Sequence, residues 1–282
     1  MNETTNLVAF VLGGGGVLGA NEVGMLRALL EAGITPDLVL GTSIGAVNGA
    51  LLAADPSIGA VDRLAAVWRS TDEAGVFSGG MIARLNTLAR TRTHAHPNEP
   101  LRELLEKALP VSNIEDLPVP FQCVAASIER AAEHWFTSGP IVDAVLASSA
   151  VPGLLPPVEV NGEHFLDGGL VNSIPVGRAV ELGADVIYVL QVGRIEQPLT
   201  APTRPWEVAL VAFEIARRHR FAGEMSALPD SVAVHVLPTG EDIRFNDLKQ
   251  LRYSDTSKTG ERIERAYEAS RGYLAGIGTP PS

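Results

Sequence analysis

The chain has 282 residues, 46% hydrophobic and 20% charged, enough apolar content to bury a sizeable core in an ordinary globular protein. Its 33 acidic against 22 basic side chains leave a formal net charge of -11. That balance excludes a nucleic-acid binder, whose partner needs a basic face, and argues against tight electrostatic docking on anionic membranes.

In chain order, residues 7–12 are a β-branched-rich run ending in four glycines, the pattern of a buried strand and a tight loop. Residues 18–32 predict a helix that Gly33 stops. A strand at 37–40 runs into Gly41-Thr42-Ser43-Ile44-Gly45, followed by helices at 46–54 and 57–69. The stretch 78–100, rich in Gly, Arg, Thr, His and Pro, reads as a surface segment, either a lid or an ordinary loop with a short helix. Helices are expected at 101–109, 141–148, 175–182, 206–225 and 256–275, and strands at 121–127, 134–137, 185–192 and 232–237. Strands alternating with helices predict an α/β fold: a three-layer α/β/α sandwich with a mostly parallel central sheet and the site at the carboxyl ends of the strands. No repeat or linker divides the chain, so one domain is expected over 1–282, with a core of about 7–192 and a C-terminal extension at 203–276.

The N-terminal residues carry no basic cluster before an apolar core, and no apolar run approaches the ~20 residues of a spanning helix. The expectation is a cytoplasmic protein, at most peripheral to a membrane through transient surface contact, with its oligomeric state open. Cys123, the single cysteine, lies in the apolar run 119–126 and reads as a small buried hydrophobe.

Three motifs carry chemistry. Gly41-Thr42-Ser43-Ile44-Gly45 between a strand and a helix is a nucleophile-elbow pattern. Flanking glycines let strand and helix approach closely while the serine hydroxyl stays accessible, and the helix start aims backbone N–H groups at it. In Gly13-Gly14-Gly15-Gly16-Val17-Leu18-Gly19, bare backbone N–H groups form an anion nest. Gly14, Gly16 and Gly19 also fit the dinucleotide fingerprint, but no acidic residue ends the second strand to hold a ribose. An oxyanion hole at Gly14, Gly15 and Gly16 is the better reading. The third motif, Phe165-Leu166-Asp167-Gly168-Gly169, places a carboxylate before two glycines. The residues alone favour an Asp-Gly turn closing a hairpin with 158–162.

Together, and in this order, the glycine loop, Gly41-x-Ser43-x-Gly45 and Asp167-Gly168-Gly169 resemble the patatin-like phospholipase family. So do Ala147-Ser148-Ser149-Ala150-Val151-Pro152-Gly153, Pro156-Pro157, Leu170-Val171-Asn172 and Pro175, a match spanning roughly 7–192. The resemblance implies a Ser43–Asp167 dyad that hydrolyses lipid or other acyl esters through an acyl-serine, with Gly14, Gly15 and Gly16 as oxyanion donors. Gly19, Gly41, Gly45, Gly168 and Gly169 support the motifs. It implies no cofactor and no metal. One departure stands out: family members usually carry Arg or Lys just before the last loop glycine, and this chain has Leu18.

A triad would need a histidine after the acid. His219 lies among Arg217, Arg218 and Arg220 on what reads as an exposed helix face, and His235 alternates within a strand. His134 and His164 are strand residues; His94 and His96 fall in the 78–100 segment, where His94-x-His96 is a weak metal pattern. None has a catalytic context, which favours the dyad; His164, three residues before Asp167, is the one to watch. Two further readings stay open: an acyltransferase on the same serine, and a non-catalytic lipid- or protein-binding member marked by Leu18.

Overall fold

The computed structural model describes residues 6–74, 96–192, 198–203, 205–240 and 259–277. At the centre is β1 (Val8–Leu12), paired in parallel with β2 (Leu38–Thr42) on one side and β7 (Val186–Leu190) on the other. β2 and β7 are buried at every position, because helices cover both faces of the sheet, so these strands read as continuous apolar runs without alternation. β3 (Phe121–Ser127) adds to β2 and β8 (Ala233–Val236) to β7, again in parallel. The edge beyond β3 is antiparallel: β4 (Ala132–Phe136) pairs with β3, as does β6 (Glu163–Asp167), which forms a hairpin with β5 (Val158–Val160). The sheet order is β5-β6-β3-β2-β1-β7-β8, with β4 joining β3 off that path.

Side chains alternate between two apolar layers, as the period of 2 requires. Phe10, Leu12, Val39, Cys123 and Tyr188 face α1 (Ala20–Glu31), α2 (Ile44–Ala54), α3 (Ile58–Ala74), α4 (Glu99–Ala108), α5 (Ile141–Ser148) and α8 (Thr259–Ile277). Ala9, Val11, Leu40, Ile187 and Val189 face α6 (Val176–Glu181) and α7 (Pro205–Ser226). The mostly parallel three-layer expectation is met. Burial pushes the Cys123 thiol pKa up, consistent with a packing role.

Boundaries shift where loop chemistry intervenes. The helix predicted from residue 18 begins at Ala20, because Gly16–Gly19 forms a separate 3-10 turn. Gly33, at φ 77°, does end α1. The β5–β6 hairpin is closed by Asn161 and Gly162, at φ 52° and 80°, a two-residue turn matching the strand twist. The Asp-Gly hairpin turn expected from residues 158–169 is therefore corrected: Asp167 ends β6 and leads into a second 3-10 turn, Gly168–Leu170. Of the 78–100 segment predicted as a lid or loop, all but 96–100 lies outside the described residues.

The C-terminal helix joins the core. α8 contributes Ile263, Ala266, Tyr267 and Leu274 to the same apolar layer as Phe10. It crosses α1 at Gly24, where an added methyl group would lie 2.1 Å from the Ile263 carbonyl oxygen. The Arg27 guanidinium sits 4.4 Å from the centre of the Tyr267 ring, whose hydroxyl donates to Glu31 at 2.6 Å. Gly24→Ala is expected to lower unfolding free energy in urea by about 1–3 kcal/mol through overpacking, without changing the reactivity of the site described next.

Candidate active site

Ser43 stands at the turn from β2 into α2 with φ 56° and ψ -123°. A side-chain-bearing residue in such a conformation carries on the order of 1–3 kcal/mol of strain, so the surroundings must impose it. Strand and helix are pressed together on either side: a methyl group on Gly41 would lie 2.6 Å from the Ala46 Cα, and one on Gly45 2.3 Å from the Leu12 carbonyl oxygen. Only glycine permits that approach. Three hydrogen bonds then fix the elbow. The Ser43 N–H donates to Ser148 Oγ at 2.9 Å, Ser149 Oγ donates to the Ser43 carbonyl at 3.1 Å, and Thr42 Oγ1 donates to the Asn172 carbonyl at 2.9 Å. Ser148, Ser149 and Asn172 belong to the stretches that carried the family resemblance; the structure shows that they hold the elbow.

Asp167 reaches Ser43 from β6, whose last residue pairs with Ala125 of β3. The chain turns there against the β3 backbone, since a methyl group on Gly168 would lie 2.1 Å from the Val124 carbonyl oxygen. Ser43 Oγ donates to Asp167 Oδ2 at 2.6 Å, and the Gly169 N–H donates to Oδ1 at 2.7 Å. The carboxyl group is 3% exposed. Burial pushes its pKa up to about 6, and the Ser43 hydroxyl and Gly169 amide offset part of that rise. The contact is direct, with no histidine between the two. His164 turns outward to Glu129, with Nδ1 2.7 Å from its Oε1, and His235 packs on Tyr188.

The glycine loop follows β1 and lies against the serine. Gly14 would bring a Cβ within 3.4 Å of Ser43 Cβ, and Gly19 one within 2.5 Å of Ile44 Cγ1. Its amides are not equivalent. Gly13 N–H donates to the Leu190 carbonyl and Gly14 N–H to the Ser173 carbonyl, both at 3.0 Å. Among the described residues, no hydrogen bond takes the Gly15 or Gly16 N–H. Of the three amides predicted as oxyanion donors, Gly14 is thus already engaged, while Gly15 and Gly16 remain available. Leu18 is buried in the 3-10 turn and brings no charge.

Gly16 and Ser43 share a cavity of ≈ 30 Å³ lined by Ile44, Val47, Leu101, Val151, Leu154 and Leu155, with His96 and Ser149 at its wall. His96, from the segment expected to cover the site, is buried there and donates its N–H to the Leu154 carbonyl at 2.9 Å; His94 lies outside the described residues. Sequence reasoning passed over two buried polar groups beside the loop. Asn48 of α2 donates through Nδ2 to the Gly19 carbonyl at 3.0 Å and to Glu22 Oε2 at 2.6 Å, and accepts from Trp68 Nε1 at 3.0 Å. Burial raises the Glu22 pKa well above the usual carboxylate range. Arg217 of α7, expected on an exposed face, is instead buried and donates to the Gly14 carbonyl at 3.3 Å. Neither signal is local, since each depends on helices brought together by the sheet.

A strained serine at a strand-to-helix turn, bonded directly to a buried aspartate beside a glycine loop, defines the class: an α/β protein with a serine elbow at the ends of its parallel strands. Residues 10–180 match the family model described as patatin-like phospholipase, and the chain belongs to that family. Lysophospholipase nte1 of Aspergillus terreus is 36% identical over 189 residues, covering 67% of this chain and 12% of that protein. The patatin-like phospholipase domain-containing protein ZK370.4 of Caenorhabditis elegans is 37% identical over 202 residues, covering 69% of this chain and 14% of that protein. The chain therefore spans only a small part of these curated relatives. Among solved structures, VipD from Legionella pneumophila aligns over 96% of this chain and 67% of its own, at 15% identity and a TM-score of 0.43.

The raised pKa sets a direction for pH dependence. A carboxylate can accept a serine proton only when ionised, so if Asp167 plays that part its raised pKa moves the onset of Ser43 reactivity toward neutral pH. Phosphonylation of Ser43 by an organophosphonate should be slow below pH 6, rise through about 6 as Asp167 ionises, and level off above. Labelling rates measured by mass spectrometry between pH 4.5 and 8, about the range bracketing that pKa, check this.

Proposed function

We propose that the chain is a serine acyl hydrolase that cleaves carboxylic esters of lipids, of the phospholipase A or lysophospholipase type. The observation that carries the proposal is the 2.6 Å hydrogen bond from the strained Ser43 hydroxyl to the buried Asp167 carboxylate. Ser43 Oγ attacks the ester carbonyl carbon as its proton passes to Asp167 Oδ2. The oxyanion is met by the Gly15 and Gly16 amides and by the N-terminal end of α2. Collapse breaks the bond to the leaving alcohol, which takes the proton from Asp167. Water then attacks the acyl-serine, giving its proton to Asp167, and the fatty acid leaves as that proton returns to Ser43 Oγ. The scheme draws on no cofactor or metal ion.

The apolar walls of the Ser43 cavity suit an acyl chain, and the relatives' names, lysophospholipase and patatin-like phospholipase, support a lipid substrate. At ≈ 30 Å³ the cavity holds a water or two, so the acyl chain enters only as the lining parts. Among the described residues no helix is long and apolar enough to cross a membrane. We place the enzyme at lipid surfaces only transiently, and treat the chain as one catalytic domain whose C-terminal extension is part of the core.

The test is turnover of a neutral short-chain chromogenic ester, and fatty-acid release from lysophospholipid, by the wild type, Ser43→Ala and Asp167→Asn. Ser43→Ala is expected to abolish turnover and organophosphonate labelling. Asp167→Asn should lower kcat by about 10²–10⁴-fold, the usual worth of a positioned general base. A wild type that neither turns over either ester nor labels would overturn the proposal. An added acceptor alcohol separates hydrolysis from acyl transfer by the product formed.

A further inference from the structure

We propose that Arg217 is a positioning residue for the oxyanion loop, supplying from α7 the cation that the loop itself lacks; this rests on the hydrolase reading of Ser43. The glycine loop carries Leu18 where family members usually carry Arg or Lys, and Leu18 is buried. The cation arrives from elsewhere in the chain. Arg217 is 8% exposed, and its Nη1 donates to the Gly14 carbonyl oxygen at 3.3 Å.

The geometry of the peptide group makes that contact consequential. In a trans peptide the C=O and the following N–H point in opposite directions. A guanidinium holding the Gly14 carbonyl from behind therefore sets the direction of the Gly15 N–H, for which no partner is found among the described residues. Preorganisation of this kind is what gives an oxyanion donor its value, because no reorientation is needed as charge develops.

The guanidinium is itself held. Its Nε and Nη2 donate to the two oxygens of Glu214 at 2.8 and 2.9 Å, a bidentate fork that fixes the plane of the group. Glu214 also accepts from Arg218 Nε at 2.8 Å. The Arg217 guanidinium thus brings its positive charge directly against the Gly14 carbonyl. That charge polarises the Gly14–Gly15 peptide in the sense that strengthens its N–H as a donor. A buried ion pair is weak evidence for stability, since apolar groups of similar volume often replace one without loss. Its place against the loop is better explained by the field it supplies there.

The experiment compares wild type, Arg217→Met, Arg217→Lys and Arg217→Ala by steady-state kinetics on the neutral chromogenic ester, with thermal midpoints measured in parallel. Arg217→Met keeps the aliphatic stem and leaves Glu214 paired with Arg218. It should lower kcat about 10–100-fold with KM within about threefold, somewhat less than removing an oxyanion donor outright. Arg217→Lys should fall between it and wild type, and guanidinium ion at concentrations far below denaturing should restore part of the kcat of Arg217→Ala. A purely structural role predicts the reverse: lost activity that follows the unfolded fraction and does not respond to guanidinium. That result, or variants with wild-type kcat, would sink this inference while leaving the hydrolase reading intact. A wild type without turnover or Ser43 labelling would remove both.

Discussion

A carboxylate kept 3% exposed and bonded to a serine hydroxyl at 2.6 Å is a costly arrangement, and the rest of the fold is organised around sustaining it. Burial disfavours the ionised acid and moves its pKa to about 6. The Ser43 hydroxyl and the Gly169 amide offset part of that rise. The serine is strained at the same time, by on the order of 1–3 kcal/mol. Three hydrogen bonds at Thr42 and Ser43, each worth about 0.5–1.5 kcal/mol, are of the right size to offset it. Neither residue could hold its position alone.

The sheet makes the meeting possible. Parallel pairing of β1 with β2 puts the glycine loop and the serine turn at the same edge, where both strands end. Asp167 arrives from the opposite chain direction, because β6 runs antiparallel to β3. The switch from parallel to antiparallel at β3 is therefore what brings Asp167 to Ser43. Around it, buried polar groups tie the helices to the loop: Asn48 and Glu22 bind the Gly19 turn to α2, and Arg217 with Glu214 binds the Gly14 carbonyl to α7. Of these, Asn48 and Arg217 donate directly to carbonyls of the glycine loop.

Much of this was legible in the chain. The run 7–12, the glycines after it and the Gly-x-Ser-x-Gly between strand and helix marked the elbow, because steric crowding at such a turn leaves so few residue types that fit. The Asp-Gly-Gly was visible as a motif but ambiguous in role. As a local pattern it reads as a hairpin turn, and only Asn161-Gly162 closing the hairpin six residues earlier frees Asp167 for Ser43. The loop amides were legible as a set and not one by one, since Gly14 is taken by the carbonyl of Ser173, far along the chain.

Composition, periodicity and motif spacing determined the class of fold, the serine elbow and the family, because these depend on near neighbours and on which residues can sit in a crowded turn. Tertiary structure alone decided which amides stay free, that Asp167 faces the serine with a raised pKa, and that an arginine read as solvent-exposed lies buried behind the loop. Burial and partner identity are properties of surfaces brought together over a hundred residues or more. Glu214, Arg217 and Arg218 in sequence look like one charged turn of a surface helix; in the fold, Glu214 and Arg217 are buried behind the glycine loop, with the Arg217 guanidinium on the Gly14 carbonyl.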